Sequence, residues 1–124
     1  MPDSPLDAKA LATIAILMDR RDRWAVITYG DLGKRLDHPV FGLGQILDRV
    51  GRWCGSIRKR SLALLVIDEE EGKPRYGMFG GFPGEVEPVT PETYDQLRTR
   101  LWRENWDGIT LPTLDQIAEA YANN

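Results

Sequence analysis

The stretch Ile27–Ile57, ITYGDLGKRLDHPVFGLGQILDRVGRWCGSI, decides how the chain is read. It spells a short helix, a turn and a longer helix. Thr28 is an N-cap with Asp31 three residues on, the spacing of a capping box. Tyr29, Leu32 and Leu36 then fall on one helical face. Asp37-His38-Pro39 ends that helix, because the residue before a proline is pushed out of the α region. A second helix is predicted over 39–57, with a buried stripe of Leu43, Ile46, Leu47, Val50, Trp53, Cys54 and Ile57. Its opposite face carries Gln45, Asp48, Arg49 and Arg52. Gly42, Gly44 and Gly51 each cost such a helix up to about 1 kcal/mol relative to Ala. Close approach of another backbone or of a ligand would explain them.

Working outward, Ser4-Pro5-Leu6-Asp7 reads as a helix start, with Ser4 as cap and Asp7 at the capping-box position. Leu11, Ile14, Ala15 and Met18 recur at helical spacing, and the charged run Asp19–Arg23 ends the helix. On the other side, Leu62–Ile67 is a continuous apolar run of strand length. Residues 69–74 form a turn, 75–79 a returning strand, and Gly80–Gly84 ends it. A hairpin after a helix pair has the shape of a wing. Thr90-Pro91 opens a further helix with Tyr94, Leu97 and Leu101 on one face. Thr113 and Gln116 form another capping box, followed by Leu114, Ile117, Ala118 and Tyr121. The expected fold is α+β: a single domain over 1–124, a small winged helix-turn-helix with an N-terminal helix, a hairpin over 61–80 and C-terminal helices over 90–122.

The 124 residues, 42% hydrophobic with four Trp, suffice for one core. No apolar run reaches the roughly 18 residues of a membrane span. The N-terminus lacks a basic start and an apolar core segment, so no signal peptide is expected. The lone Cys54 fits a reducing compartment, and a cytoplasmic location is the expectation. Net charge is −3, but residues 19–60 hold ten Lys/Arg against five acids, while 68–124 hold five against twelve. A basic segment in an acidic chain suits a local anionic partner. The same charges would also serve simply to solvate helix faces.

The words ITYGDLGKRL, a turn, and FGLGQIL resemble the helix-turn-helix of alkylguanine-DNA alkyltransferases and alkyltransferase-like proteins, over about residues 24–48. That family has a Tyr-Gly-(Asp/Glu)-Leu-Ala helix, then one opening Arg-Ala-Val-Gly-x-Ala-(Leu/Met), which enters the minor groove and flips a base. The resemblance implies that Tyr29 contacts the target phosphate. Phe41 stands where the family's arginine fills the gap left by the flipped base, a task an apolar wedge performs in other minor-groove proteins. The family's Pro-Cys-His-Arg motif is absent, which excludes alkyl transfer and leaves binding.

Among chemical groups, Cys54 on the buried stripe reads as a packed thiol, and His38 as an exposed turn histidine too isolated for a metal site. Glu69-Glu70-Glu71 reads as a solvated tip. Trp102, Trp106 and Tyr94 read as a core cluster, or as a protein-docking surface if exposed. No cofactor, metal or catalytic residue is expected. The expected function is non-catalytic binding of nucleic acid, most naturally duplex DNA, by the helix 39–57. Its contacts would be Tyr29, Lys34, Arg35, Phe41, Gln45, Arg49, Arg52 and Lys59. The alternative is a protein-interaction module whose acidic, Trp-containing C-terminal half docks a partner or a second copy.

Overall fold

A computed structural model describes residues 4–74, 82–85 and 87–123. Their order is α1 (Pro5–Asp22), β1 (Ile27–Thr28), α2 (Tyr29–Leu36), a 3₁₀ turn (Val40–Gly42), α3 (Leu43–Ser56), a second 3₁₀ turn (Leu62–Leu65), β2 (Val66–Ile67), α4 (Tyr94–Arg103) and α5 (Leu114–Asn123). The fold is therefore predominantly helical, which corrects the α+β winged expectation. The only strand pairing among these residues is a two-residue parallel ladder, Ile27 beside Val66 and Thr28 beside Ile67. Leu62–Leu65, expected in a strand, winds instead into a 3₁₀ turn whose start is capped by Ser61 Oγ accepting from Ala63 N. An apolar run buried on all sides carries no periodicity to separate the two. The proposed returning strand, 75–79, lies outside the described residues.

The helix pair itself forms as its caps dictate. Thr28 Oγ1 accepts from Asp31 N at 3.1 Å and starts α2. Asp37, in the left-handed region at φ 49°, ends it, and His38 N returns to Gly33 O at 2.9 Å. Aspartate tolerates that conformation better than most non-glycine residues. The second helix begins as a 3₁₀ turn and becomes α-helical only at Leu43.

Helix α3 is the centre of the molecule, packed between α1 and α5. Its stripe of Leu43, Ile46, Leu47, Val50, Trp53 and Cys54 is buried as expected, while Ile57, expected to end the stripe, caps the helix and is only partly buried. Full burial of such side chains is worth about 1.5–3 kcal/mol apiece. Gly51 and Gly55 serve close approach: a Cβ at Gly51 would lie 2.9 Å from Pro83 O, and one at Gly55 2.9 Å from Gly84 Cα. The segment Phe82–Glu85 crosses α3 over these two glycines. On the other side of the core, Tyr94 Oη donates to Leu64 O at 2.6 Å. Arg21 donates to the carbonyls of Leu101 and Glu104, closing the C-terminal end of α4.

Two helices bury a face that overlaps the expected one but is rotated from it, with Ile14 and Ile117 common to both. In α1 the buried residues are Asp7, Ala10, Thr13, Ile14 and Leu17, while Ala15 is exposed. Ser4 Oγ caps Leu6 N, and the carboxylate of Asp7 turns inward to Arg49 rather than completing a capping box. In α5 the box does form, with Gln116 N to Thr113 Oγ1 at 3.1 Å and Thr113 N to Gln116 Oε1 at 2.9 Å. The buried residues there are Ile117 and Ala120, and Tyr121 is left partly exposed.

Candidate nucleic-acid interface

The eight expected contacts do not share a surface. Arg49 is buried: Nε donates to Asp7 Oδ1 at 2.9 Å, Nη1 to Gln45 O at 3.0 Å, and the guanidinium lies 4.0 Å from the Tyr121 ring centroid. Arg52 is held by Asp48 at 2.9 Å and also faces Tyr121, at 5.1 Å. The two arginines of the polar flank of α3, expected to meet DNA, are thus taken up by Asp7 of α1, Asp48 of α3 itself and Tyr121 of α5, while Gln45 stays exposed. An amphipathic pattern assigns polar residues to solvent, but these two arginines find a carboxylate and a π face instead. Tyr29 is only 2% exposed and belongs to the core. Lys59 sits in a separate cleft, where Nζ donates to Asn105 O at 2.6 Å.

In that second cleft the two acids are matched, while Arg58 on its rim is exposed. Arg60 pairs with Glu85 at 3.2 Å, while Ser61 N donates to Glu85 Oε2 at 2.6 Å and Arg60 N to Glu104 Oε1 at 3.1 Å. Burial raises the Glu85 carboxyl above its ordinary range, outweighing the opposite pull of the Ser61 amide and Arg60. Beneath it, burial pushes the Cys54 thiol up to about 12, so it stays protonated. A protonated, fully buried thiol is not a nucleophile.

What remains together is the corner where α2 hands over to α3. Phe41 is 85% exposed there. Lys34 and Arg35 are exposed on the last turn of α2, and no carboxylate among the described residues pairs with either. Gln45 is exposed four residues, about one helical turn, beyond Phe41. The corner is rigid for local reasons. A Cβ on Gly33 would meet His38 O at 2.9 Å, and one on Gly42 would meet His38 Nε2 at 2.7 Å, so both glycines let the turn fold tightly on itself. Lys9 of α1 locks it by donating Nζ to Asp37 O at 3.2 Å and to His38 Nδ1 at 3.0 Å. His38 is therefore half-buried and bonded rather than free. Lys9 was not legible as part of this site, since nothing in the sequence joins residue 9 to residue 38.

The two flanks of the corner differ in charge. A shallow depression lined by Gly30, Gly33, Lys34, Asp37, His38, Pro39 and Val40 lies on one side. On the other, Tyr29, Gly30 and Val40 border Asp68, Glu69 and Glu70. The first flank carries Lys34 against Asp37 and is close to neutral, whereas the second is acidic and repels a polyanion. Among the described residues no group of three or more His, Cys, Asp or Glu side chains is placed to hold a metal ion. No helix among them is long and apolar enough to cross a membrane. No family model, curated protein or solved structure matches this chain.

Proposed function

We propose that this chain is a non-catalytic nucleic-acid-binding module that engages duplex DNA with the α2–α3 corner rather than with the length of α3. The supporting observation is Phe41, 85% exposed on a tightly folded turn near Lys34 and Arg35, with which no carboxylate among the described residues pairs. A large apolar side chain fully in water is unfavourable unless something covers it. Phe41 is the wedge that enters the minor groove at a base step, the use such residues have in other minor-groove proteins. Lys34 and Arg35 hold phosphates, and the exposed Gln45, about one helical turn beyond Phe41, reaches a base edge. The acids at 68–70 fix the orientation by keeping the backbone on the Lys34 side. A single buried thiol without a disulfide is in keeping with work in a reducing cytoplasm.

The test is duplex binding followed by fluorescence anisotropy against salt concentration. Two or three neutralised phosphates give a log–log slope of about −2 to −3. Phe41→Ala weakens binding without changing that slope, while Lys34→Ala with Arg35→Ala lowers the slope itself. Absence of salt-sensitive binding at low ionic strength would sink this reading.

A further inference from the structure

A second exposed aromatic lies at the far end of α1, roughly 20 Å along the helix axis from Lys9. Trp24 follows the last turn of α1 at φ 55°, with Trp24 N bonded to Arg21 O at 3.2 Å and Ala25 N to Arg20 O at 2.9 Å. This is the left-handed position after a helix end that glycine normally takes. A tryptophan there is strained, and it remains 51% exposed. One face of its ring stacks on Trp102 of α4, centroids 5.5 Å apart and planes 18° apart.

One cation in the surroundings has no acidic partner among the described residues. Arg103 is exposed, its guanidinium 6.0 Å from the Trp24 ring, and no carboxylate among the described residues pairs with it. Arg98 lies 4.8 Å from the Trp102 ring. The buried Nε of Arg98 and Nε1 of Trp102 both lack an acceptor among the described residues. The other nearby cations are already matched: Arg23 to Asp19, Arg21 to Asp22, Arg98 to Asp95 and Arg100 to Glu87.

We infer that the Trp24–Trp102–Arg103 patch is a docking site for a protein segment carrying a carboxylate next to an aromatic or broad apolar side chain. The carboxylate pairs with Arg103, and the flat side chain covers the outer face of Trp24. Trp and Arg are the residues that most often anchor protein interfaces. One unmatched cation suits one carboxylate, whereas a nucleic-acid backbone requires several free cations in a row. The patch is independent of the Phe41 corner, and either can fail alone.

Trp24→Gly supplies the experiment, because glycine satisfies the backbone while removing the ring. A random peptide library is panned on the wild-type chain and counter-selected on the Trp24→Gly variant. The expected outcome is enrichment of Asp or Glu adjacent to Phe, Tyr, Trp or Leu. The enriched peptides should bind at least about tenfold more weakly to Trp24→Gly and to Arg103→Gln. Enrichment without acids, equal binding to either variant, or no enrichment overturns the proposal. So does tighter binding of oligothymidylate than of any peptide at this patch, or sedimentation showing that Trp24 is covered by a second copy of the chain.

Discussion

Arg49 of α3 closes a buried ion pair on Asp7 of α1, Nε to Oδ1 at 2.9 Å, with both side chains at most 10% exposed. The pair joins residues 42 positions apart and sits where the polar flank of α3 would otherwise face solvent. Breaking it from one side leaves a charge buried without a partner, which costs about 3–5 kcal/mol. Asp7→Ala and Arg49→Ala should each lower stability by that order in urea denaturation. The double replacement Asp7→Leu with Arg49→Met should recover most of the loss. Equal destabilisation by the single and double variants would show that the pair is not the source.

Gly51 and Gly55 accept the crossing of Pro83 and Gly84. Alanine at either site would bring its methyl carbon to 2.9 Å from backbone atoms of that segment, which cannot swing aside as a side-chain tip can. Each substitution should destabilise by about 1–3 kcal/mol, against the slight gain that Gly→Ala gives in an unobstructed helix. Gly30→Ala is the control: a Cβ there meets nothing within 4 Å. It should be neutral or stabilising in the same denaturation series.

Phe41 contributes surface but little packing. Phe41→Ala should change stability by no more than about 0.5 kcal/mol, as exposed substitutions do. If the melting temperature falls by many degrees instead, the side chain is covered in solution and is not available to DNA.

Glu85 makes stability depend on pH in the less common direction for a carboxylate. Burial raises its folded-state pKa, so between the unfolded value and the raised one the folded chain binds more protons than the unfolded chain. Its contribution is full below the unfolded pKa and declines as pH rises through the folded one. The difference in stability between wild type and Glu85→Gln should therefore shift in favour of the glutamine variant as pH rises through that window. A difference that is flat with pH, or that shifts the other way, would contradict the burial-driven shift.

Cys54 should be inert to thiol reagents at neutral pH in the folded chain, since burial pushes it up to about 12. Its labelling rate should follow unfolding, rising with urea. Rapid labelling of native protein would place the thiol nearer the surface.

Caps and short amphipathic stretches were the readable part of this sequence. Ser4, Thr28 and the Thr113–Gln116 pair each act through atoms two or three residues away, so the signal is local. The stripe of α3 and the Tyr94, Leu97 and Leu101 face of α4 were readable because one face of each is wholly apolar. What failed depended on distant partners. Arg49 is polar by type and buried by circumstance, and Asp7 is inside for the same reason. Leu62–Leu65 has no polar residue to report a period. Of the eight expected contacts, Phe41, Lys34, Arg35 and Gln45 share the corner because they lie within twelve consecutive residues on one turn. Arg49, Arg52 and Lys59 were claimed by α1, α5 and the Asn105 loop. Nothing local announced the stack of Trp24 with Trp102, since the two lie on elements far apart in the chain.

The ladder of Ile27 with Val66 and Thr28 with Ile67 has a mechanical consequence. It is short, yet it fastens the entry to α2 against the exit from the second 3₁₀ turn, so the chain between forms a closed loop. The Phe41 corner hangs at the apex of that loop, anchored at both ends and braced at the side by Lys9. A force applied at Phe41 is shared between two tethers that must fail together. The corner is therefore held as a fixed prow and not as the tip of a hinged arm.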